Sequence, residues 1–272
     1  MVVYIGTSGF SFDDWKGPVY PSDSKKEDML HFYANELKFN SVELNFTYYA
    51  LPSEKSFMGM QKKVPADFIF TVKGYRGFTH DPFDPRCKTK ATRKKSGEDL
   101  VKFTSALNPL RKEKQLGGVL LQFPVFFEPS PDNCDYIIKC KYMMTGIPVV
   151  IEFRNIAWAK KETFEFLIRN NLGYCIVDEP KLSRLMPYYP QVTSKQAYFR
   201  FHGRNNNWFN ASLEERYNYL YPREELKGFI KDIKRMEAQS KDFFIYFNNC
   251  HMGQAAKNAK DLQELLMVSE GM

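Results

Sequence analysis

Arg200, His202 and Arg204 stand at every second position of the stretch AYFRFHGRN (residues 197–205), with Phe199 and Phe201 between them. Alternate side chains of a strand share a face, so the three basic groups point one way and the phenylalanines the other. The same spacing joins Glu43 to Asn45, Glu152 to Arg154 and Tyr246 to Asn248. Such pairs set a proton carrier beside a charge or an amide, the equipment of general acid–base chemistry on a charged molecule. Ser8, Lys73, Gln122 and Asp178 add a hydroxyl, a cation, an amide and a carboxylate, each at the end of an apolar run. Three cations (Lys73, Arg154, Arg200) match three acids (Glu43, Glu152, Asp178), so a purely structural layer of ion pairs is open to them. Their gathering at strand ends favours a pocket instead.

The elements that must position these residues are legible as apolar runs of strand length: VVYIGTS, SVELN, FIFTVK, GVLLQF, IPVVIEF, GYCIVD, QAYFRFH and FFIYFN. Segments with helical spacing lie between them, at 25–38 (containing His31), 53–63, 98–113, 132–143, 160–170, 221–238 and 252–267. The last is the clearest, with Met252, Ala255, Ala256, Ala259, Leu262, Leu265 and Leu266 on one stripe. After the sixth strand, Pro180, Pro187 and Pro190 predict a short helix or a loop in its place. Eight strands alternating with helices over 272 residues predict one (β/α)8 TIM-type barrel domain spanning residues 1–272. A doubly wound open sheet is the alternative, but GTSGFSFDDW after the first strand lacks the G-x-G-x-x-G turn that goes with it. In such a barrel the polar strand ends converge on one mouth, where chemistry is done.

The loops after strands seven and eight often hold phosphate in barrels of this kind. Here Gly203, Arg204, Asn249 and the amides near Met252 and Gly253 predict an anion site. Trp15, Trp158 and Trp208 all follow strands, which places flat faces on the rim for stacking. The net charge of +7 agrees with an anionic partner. Much of it sits between Arg86 and Lys95, where Lys88, Lys90, Arg93 and Lys94 also fall; a solvated loop is the plainer reading and a nucleic-acid contact the sharper one. Five cysteines without a C-x-x-C pair argue against a disulfide framework or a structural zinc site. With no basic leader before an apolar stretch and no apolar run of membrane length, a soluble cytoplasmic protein with no membrane partner is predicted.

The stretches GTSGFSFDDWKGPVYP, FNSVELNFTYYALPS, FTVKGYRGFTH, GGVLLQFP, VVIEFRNIAW, YCIVDEP, AYFRFHGRN and YFNNCHMGQAAKNA together resemble the YecE-like family, domain of unknown function 72. The resemblance runs from Gly6 to the final helix and implies a TIM-type barrel; it implies no established reaction. On the residues themselves, the leading expectation is an enzyme (hydrolase, isomerase or lyase) acting on a sugar phosphate or nucleotide-like anion. Glu43, Glu152, His202 and Asp178 would be its proton carriers, and Asn45, Lys73, Gln122, Arg154, Arg200, Arg204, Asn248, Asn249, Trp158 and Trp208 its binding residues. A glycoside hydrolase using Glu43 and Glu152 is an alternative, although the cations exceed what a neutral sugar needs. A nucleic-acid-binding module working through Arg86 to Lys95 is another. No motif calls for a cofactor; Glu43, Glu152, Asp178 and His202 leave room for a divalent metal.

Overall fold

Each apolar run forms a parallel strand: β1 (Val2–Thr7), β2 (Ser41–Leu44), β3 (Ile69–Lys73), β4 (Leu116–Gln122), β5 (Val149–Glu152), β6 (Gly173–Asp178), β7 (Gln196–Phe201) and β8 (Asp242–Phe247). The computed structural model describes residues 2–86, 90–208 and 211–270. Strand order is β1-β8-β7-β6-β5-β4-β3-β2, so the first strand pairs with the last and the sheet curls into a nearly closed barrel. The open-sheet alternative is thereby excluded. β2, β5, β6 and β7 are buried along their whole length, as strands covered on both faces must be.

Closure between β1 and β2 is made largely by side chains. The Tyr33 hydroxyl accepts from Thr7 N–H at 2.9 Å and donates to Ser41 C=O at 3.1 Å. Asn40 serves Ile5 N–H and Val3 C=O, both at 3.3 Å. Among the described residues, backbone meets backbone across this seam only at the mouth, where Gly9 N–H reaches Glu43 C=O at 2.8 Å. Gly6 permits this approach, because a Cβ there would lie 2.1 Å from the Ser41 oxygen.

The outer helices follow the expected segments, with differences that have local causes. Ser53 and Ser130 cap their helices by accepting from Ser56 and Asn133 N–H. The segment expected at 98–113 is two helices, Lys90–Ala106 and Asn108–Lys112, divided where Pro109 lacks the donor that would continue the first. Its earlier start makes residues 90–95 of the basic tract helical rather than loop; Lys88 and the side chains of Lys90, Arg93 and Lys94 lie outside the described residues. No helix forms in residues 179–195, where the prolines cluster. The final helix, Gln254–Glu270, buries Ala255, Ala256, Ala259, Leu262 and Leu265 against β1 and β8. Met252 is outside it: with φ at +49° it leaves the helical path, and its side chain is exposed. No described helix is long and apolar enough to cross a membrane.

Candidate active site

Arg200 is the hub of the barrel interior. It is 1% exposed and bridges two wholly buried carboxylates, donating from Nη2 to Glu43 Oε1 at 2.8 Å and from Nη1 to Glu152 Oε2 at 2.7 Å. β7 brings Arg200 in at the level of Glu43 on β2 and Glu152 on β5, which is why three distant stretches meet. Arg154 continues the chain of charges, 2.5 Å from Glu152 Oε1 through Nε and 2.7 Å from Glu179 Oε2 through Nη1. Burial opposes the charged form of Glu152, yet Arg154 and Arg200 outweigh it and hold its carboxyl well below the usual range. Burial likewise opposes the charged form of Arg200, but Glu152 and Glu43 more than compensate and raise it well above its ordinary value.

His202 is buried beside this network, and burial followed by the Arg154 charge pushes its pKa well down, so the imidazole is neutral. Its Nε2 lies 3.2 Å from Arg154 Nη2 and its Nδ1 3.0 Å from the Asn248 amide. Nε2 also lies 3.4 Å from Glu152 Oε1, so with its proton on Nε2 the ring donates to that carboxylate while Nδ1 accepts from the Asn248 Nδ2.

That cavity opens at the carboxyl ends of the strands and holds about 550 Å³. Ser8, Asn45, Lys73, Asn248 and Cys250 line it, with Phe12, Tyr48, Tyr49 and Tyr217 as aromatic walls and Asp13, Asp14 and His251 also on its lining. Lys73 ends β3 and is half-buried. Its ammonium lies 4.6 Å above the Tyr48 ring, and among the described residues no carboxylate comes within 4.0 Å of it. Burial, and then the Arg200 charge, push its pKa down to about 7, against a smaller opposing pull from Glu152 and Glu43. Next to it, Asn45 Oδ1 is buried and accepts no hydrogen bond from any described residue.

Other expected site residues lie elsewhere. Asp178 and Arg204 pair with one another in a forked contact, 2.9 Å from Nε and 2.8 Å from Nη2, and Asp178 also accepts from the Tyr221 hydroxyl. Gln122 ends β4 level with Glu152, outside the cavity lining. Asn249 is buried and donates to Tyr219 C=O. The expected anion donors are occupied: Gly203 N–H donates to the Tyr221 hydroxyl and Met252 N–H to Asp14 Oδ2. All three tryptophans are buried rather than displayed. Trp15 and Trp158 donate their indole N–H to Cys250 and Phe127 carbonyls, Trp158 stacks on Phe153, and Trp208 packs edge-on to His202.

The sequence reading missed Glu179, which takes the place foreseen for Asp178 as the third acid of the network. Burial raises its carboxyl to about 7, against the pull of Arg154. Its signal was present, since Asp178-Glu179-Pro180 puts two acids at one strand end and only one can face outward. Tyr48, Tyr49 and Tyr217 were also missed, because the one-turn helix Phe46–Tyr49 and the segment around Tyr217 are too short to show a periodicity that would mark them. Among the described residues, no three His, Cys, Asp or Glu side chains gather in a way that could hold a metal ion.

A family model described as "Protein of unknown function DUF72" matches residues 4–271. The chain is 31% identical over 282 residues to the UPF0759 protein YunF of Bacillus subtilis, across 97% of this chain and 95% of that protein. A solved DUF72 family protein from Thermotoga maritima is 44% identical with a TM-score of 0.88, covering 98% of this chain and 100% of that one. Another from Enterococcus faecalis is 29% identical with a TM-score of 0.83, covering 98% and 96%. A xylose isomerase-like TIM barrel protein from Mycobacterium smegmatis, 12% identical with a TM-score of 0.52 over 91% of each chain, shares the fold.

Proposed function

Because this chain belongs to the DUF72 family, whose description names no reaction, we propose its function from the site alone: an enzyme acting on a small phosphorylated or otherwise anionic molecule seated at the barrel mouth against Lys73. The observation that carries this reading is a cation facing a cavity of about 550 Å³ without a carboxylate of its own. A partly buried ammonium left unpaired is costly, and an anionic ligand removes that cost. Asn45 Oδ1 on the same lining is suited to accept from a ligand hydroxyl beside that anion. A hydroxy acid or sugar phosphate offers both groups.

In this reading Lys73 carries the proton, since a group titrating near pH 7 gives and takes one readily. Glu43, Glu152, Arg154 and Arg200 act from beneath, as a fixed charge array that sets the potential at Lys73. His202 positions Asn248. The glycoside hydrolase alternative is less favoured, because Arg200 holds both carboxylates and occupies the space between them that a sugar would need.

A thermal-shift screen with inorganic phosphate, sugar phosphates, hydroxy acids and neutral sugars tests this. A ligand binding only the native state raises its apparent stability, by about 2.7 kcal/mol at a hundredfold excess over Kd. Anionic ligands are expected to raise Tm in the wild type and to lose that effect in Lys73→Met. Equal stabilisation of both proteins would move the ligand away from Lys73.

A further inference from the structure

We propose that Lys73 is a covalent nucleophile, forming an imine with the carbonyl group of a small oxo acid or keto sugar phosphate held in the mouth cavity. The inference rests on the anion reading above and narrows its substrate class. It begins from the geometry. Lys73 closes β3 with its backbone fixed, its carbonyl accepting from Thr47 Oγ1 at 2.5 Å, so the amine is delivered to one place in the cavity. No hydrogen-bonding group of the described residues reaches its nitrogen, leaving the lone pair of the neutral amine open to attack. Phe12, Tyr48, Tyr49 and Tyr217 give the cavity aromatic walls among the polar Ser8, Asn45, Asn248, Asp13 and Asp14. A lysine desolvated in such a pocket near other cations is the arrangement that turns an ammonium into a nucleophile.

The groups that bear on its charge come from several elements. Arg200 from β7 and Arg154 beyond β5 favour the neutral amine, Glu152 and Glu43 favour the ammonium, and half-buried His80 and Tyr48 lie close by. Burial also holds His80 down to about 3, so it adds no competing cation.

In the step itself, the Nζ lone pair attacks the carbonyl carbon and an N–C bond forms. The C=O π electrons move to oxygen, which takes a proton to give a carbinolamine. Its C–O bond then breaks as the hydroxyl takes a second proton and leaves as water, and the nitrogen, having given up both of its protons across the two steps, is left in a C=N bond. Amine plus carbonyl gives imine plus water, with no oxidant or reductant required. Once protonated, the imine keeps the positive charge that the ammonium had, so the buried carboxylates beneath remain balanced. It also withdraws electrons from the adjacent carbon, which eases proton removal or C–C cleavage there.

The experiment is reductive trapping on the full chain. Pyruvate and dihydroxyacetone phosphate are each incubated with the protein and sodium borohydride, followed by intact-mass measurement and peptide mapping. The expected result is one adduct per chain, on Lys73, formed at least tenfold faster than on exposed Lys55 or Lys102 and accelerating between pH 6 and 8. Lys73→Arg keeps the cation but cannot form an imine, so it is expected to retain stabilisation by anions while losing the adduct. Modification of Lys73 no faster than of Lys55 and Lys102, with anion stabilisation intact, would overturn the imine and leave the anion site standing. Absence of both would overturn both.

Discussion

Lys73 and Glu179 are the two residues whose ordinary charge is undone by the fold, and they shape stability in opposite ways. Lys73 titrates near 7 in the native state and at about 10.5 when unfolded, so between those values the unfolded chain binds more protons and stability rises with pH. Glu179 titrates near 7 against about 4.5 when unfolded, so between 4.5 and 7 the native state binds more protons and stability falls with pH. Urea unfolding of Lys73→Met beside the wild type is therefore expected to show the variant's advantage shrinking from pH 7 to pH 10. Glu152 behaves differently, because it is held by two guanidiniums. Glu152→Gln leaves Arg154 and Arg200 without their shared partner and is expected to cost about 3–5 kcal/mol in the same assay. Which residues would gather could be read from strand ends: Glu43, Glu152, Arg154, Arg200 and His202 do meet. Which of them faces ligand could not be read there, because pairing consumes charges one by one and only the remainder, Lys73, is free to act.

Strands were the most legible elements, since apolar runs bounded by turns leave little freedom in a parallel sheet. Helix ends were less so: Pro109 divides one helix, and an Asp14 contact draws Met252 out of another, a partner more than two hundred positions away that no local pattern reveals. The tryptophans illustrate the same limit, for their place after a strand was correct while their burial drew on distant partners, such as Phe127 stacked on Trp158 and the Cys250 carbonyl that accepts from the Trp15 indole. Two element-level consequences can be measured. Ser130→Ala removes the cap of the helix Pro131–Met143 and is expected to cost about 1 kcal/mol. Gly6→Ala drives a methyl group into the Ser41 carbonyl across the barrel seam; it is expected to lower Tm far more than Ser130→Ala, in a side-by-side melting experiment.

At the scale of the molecule, the site and the stability of the barrel draw on the same charges. Glu43 and Glu152 tie β2 and β5 to β7 through Arg200, so the array that tunes Lys73 also holds strands from opposite sides of the sheet. A ligand that neutralises Lys73 is then expected to stiffen the whole barrel, visible as a rise in Tm rather than as a local change. The β1–β2 seam has the opposite character. A continuous ladder opens only when many bonds fail together, whereas this one depends on a phenol and an amide that can let go singly. The barrel should therefore unzip from one known line, with Thr7 and Ile5 amides exchanging with deuterium well before those of β7 and β8, and Tyr33→Phe should hasten that exchange. Because β2 carries Glu43 on one side of that line and Asn45 follows it, the place where the barrel breathes is also a wall of its pocket.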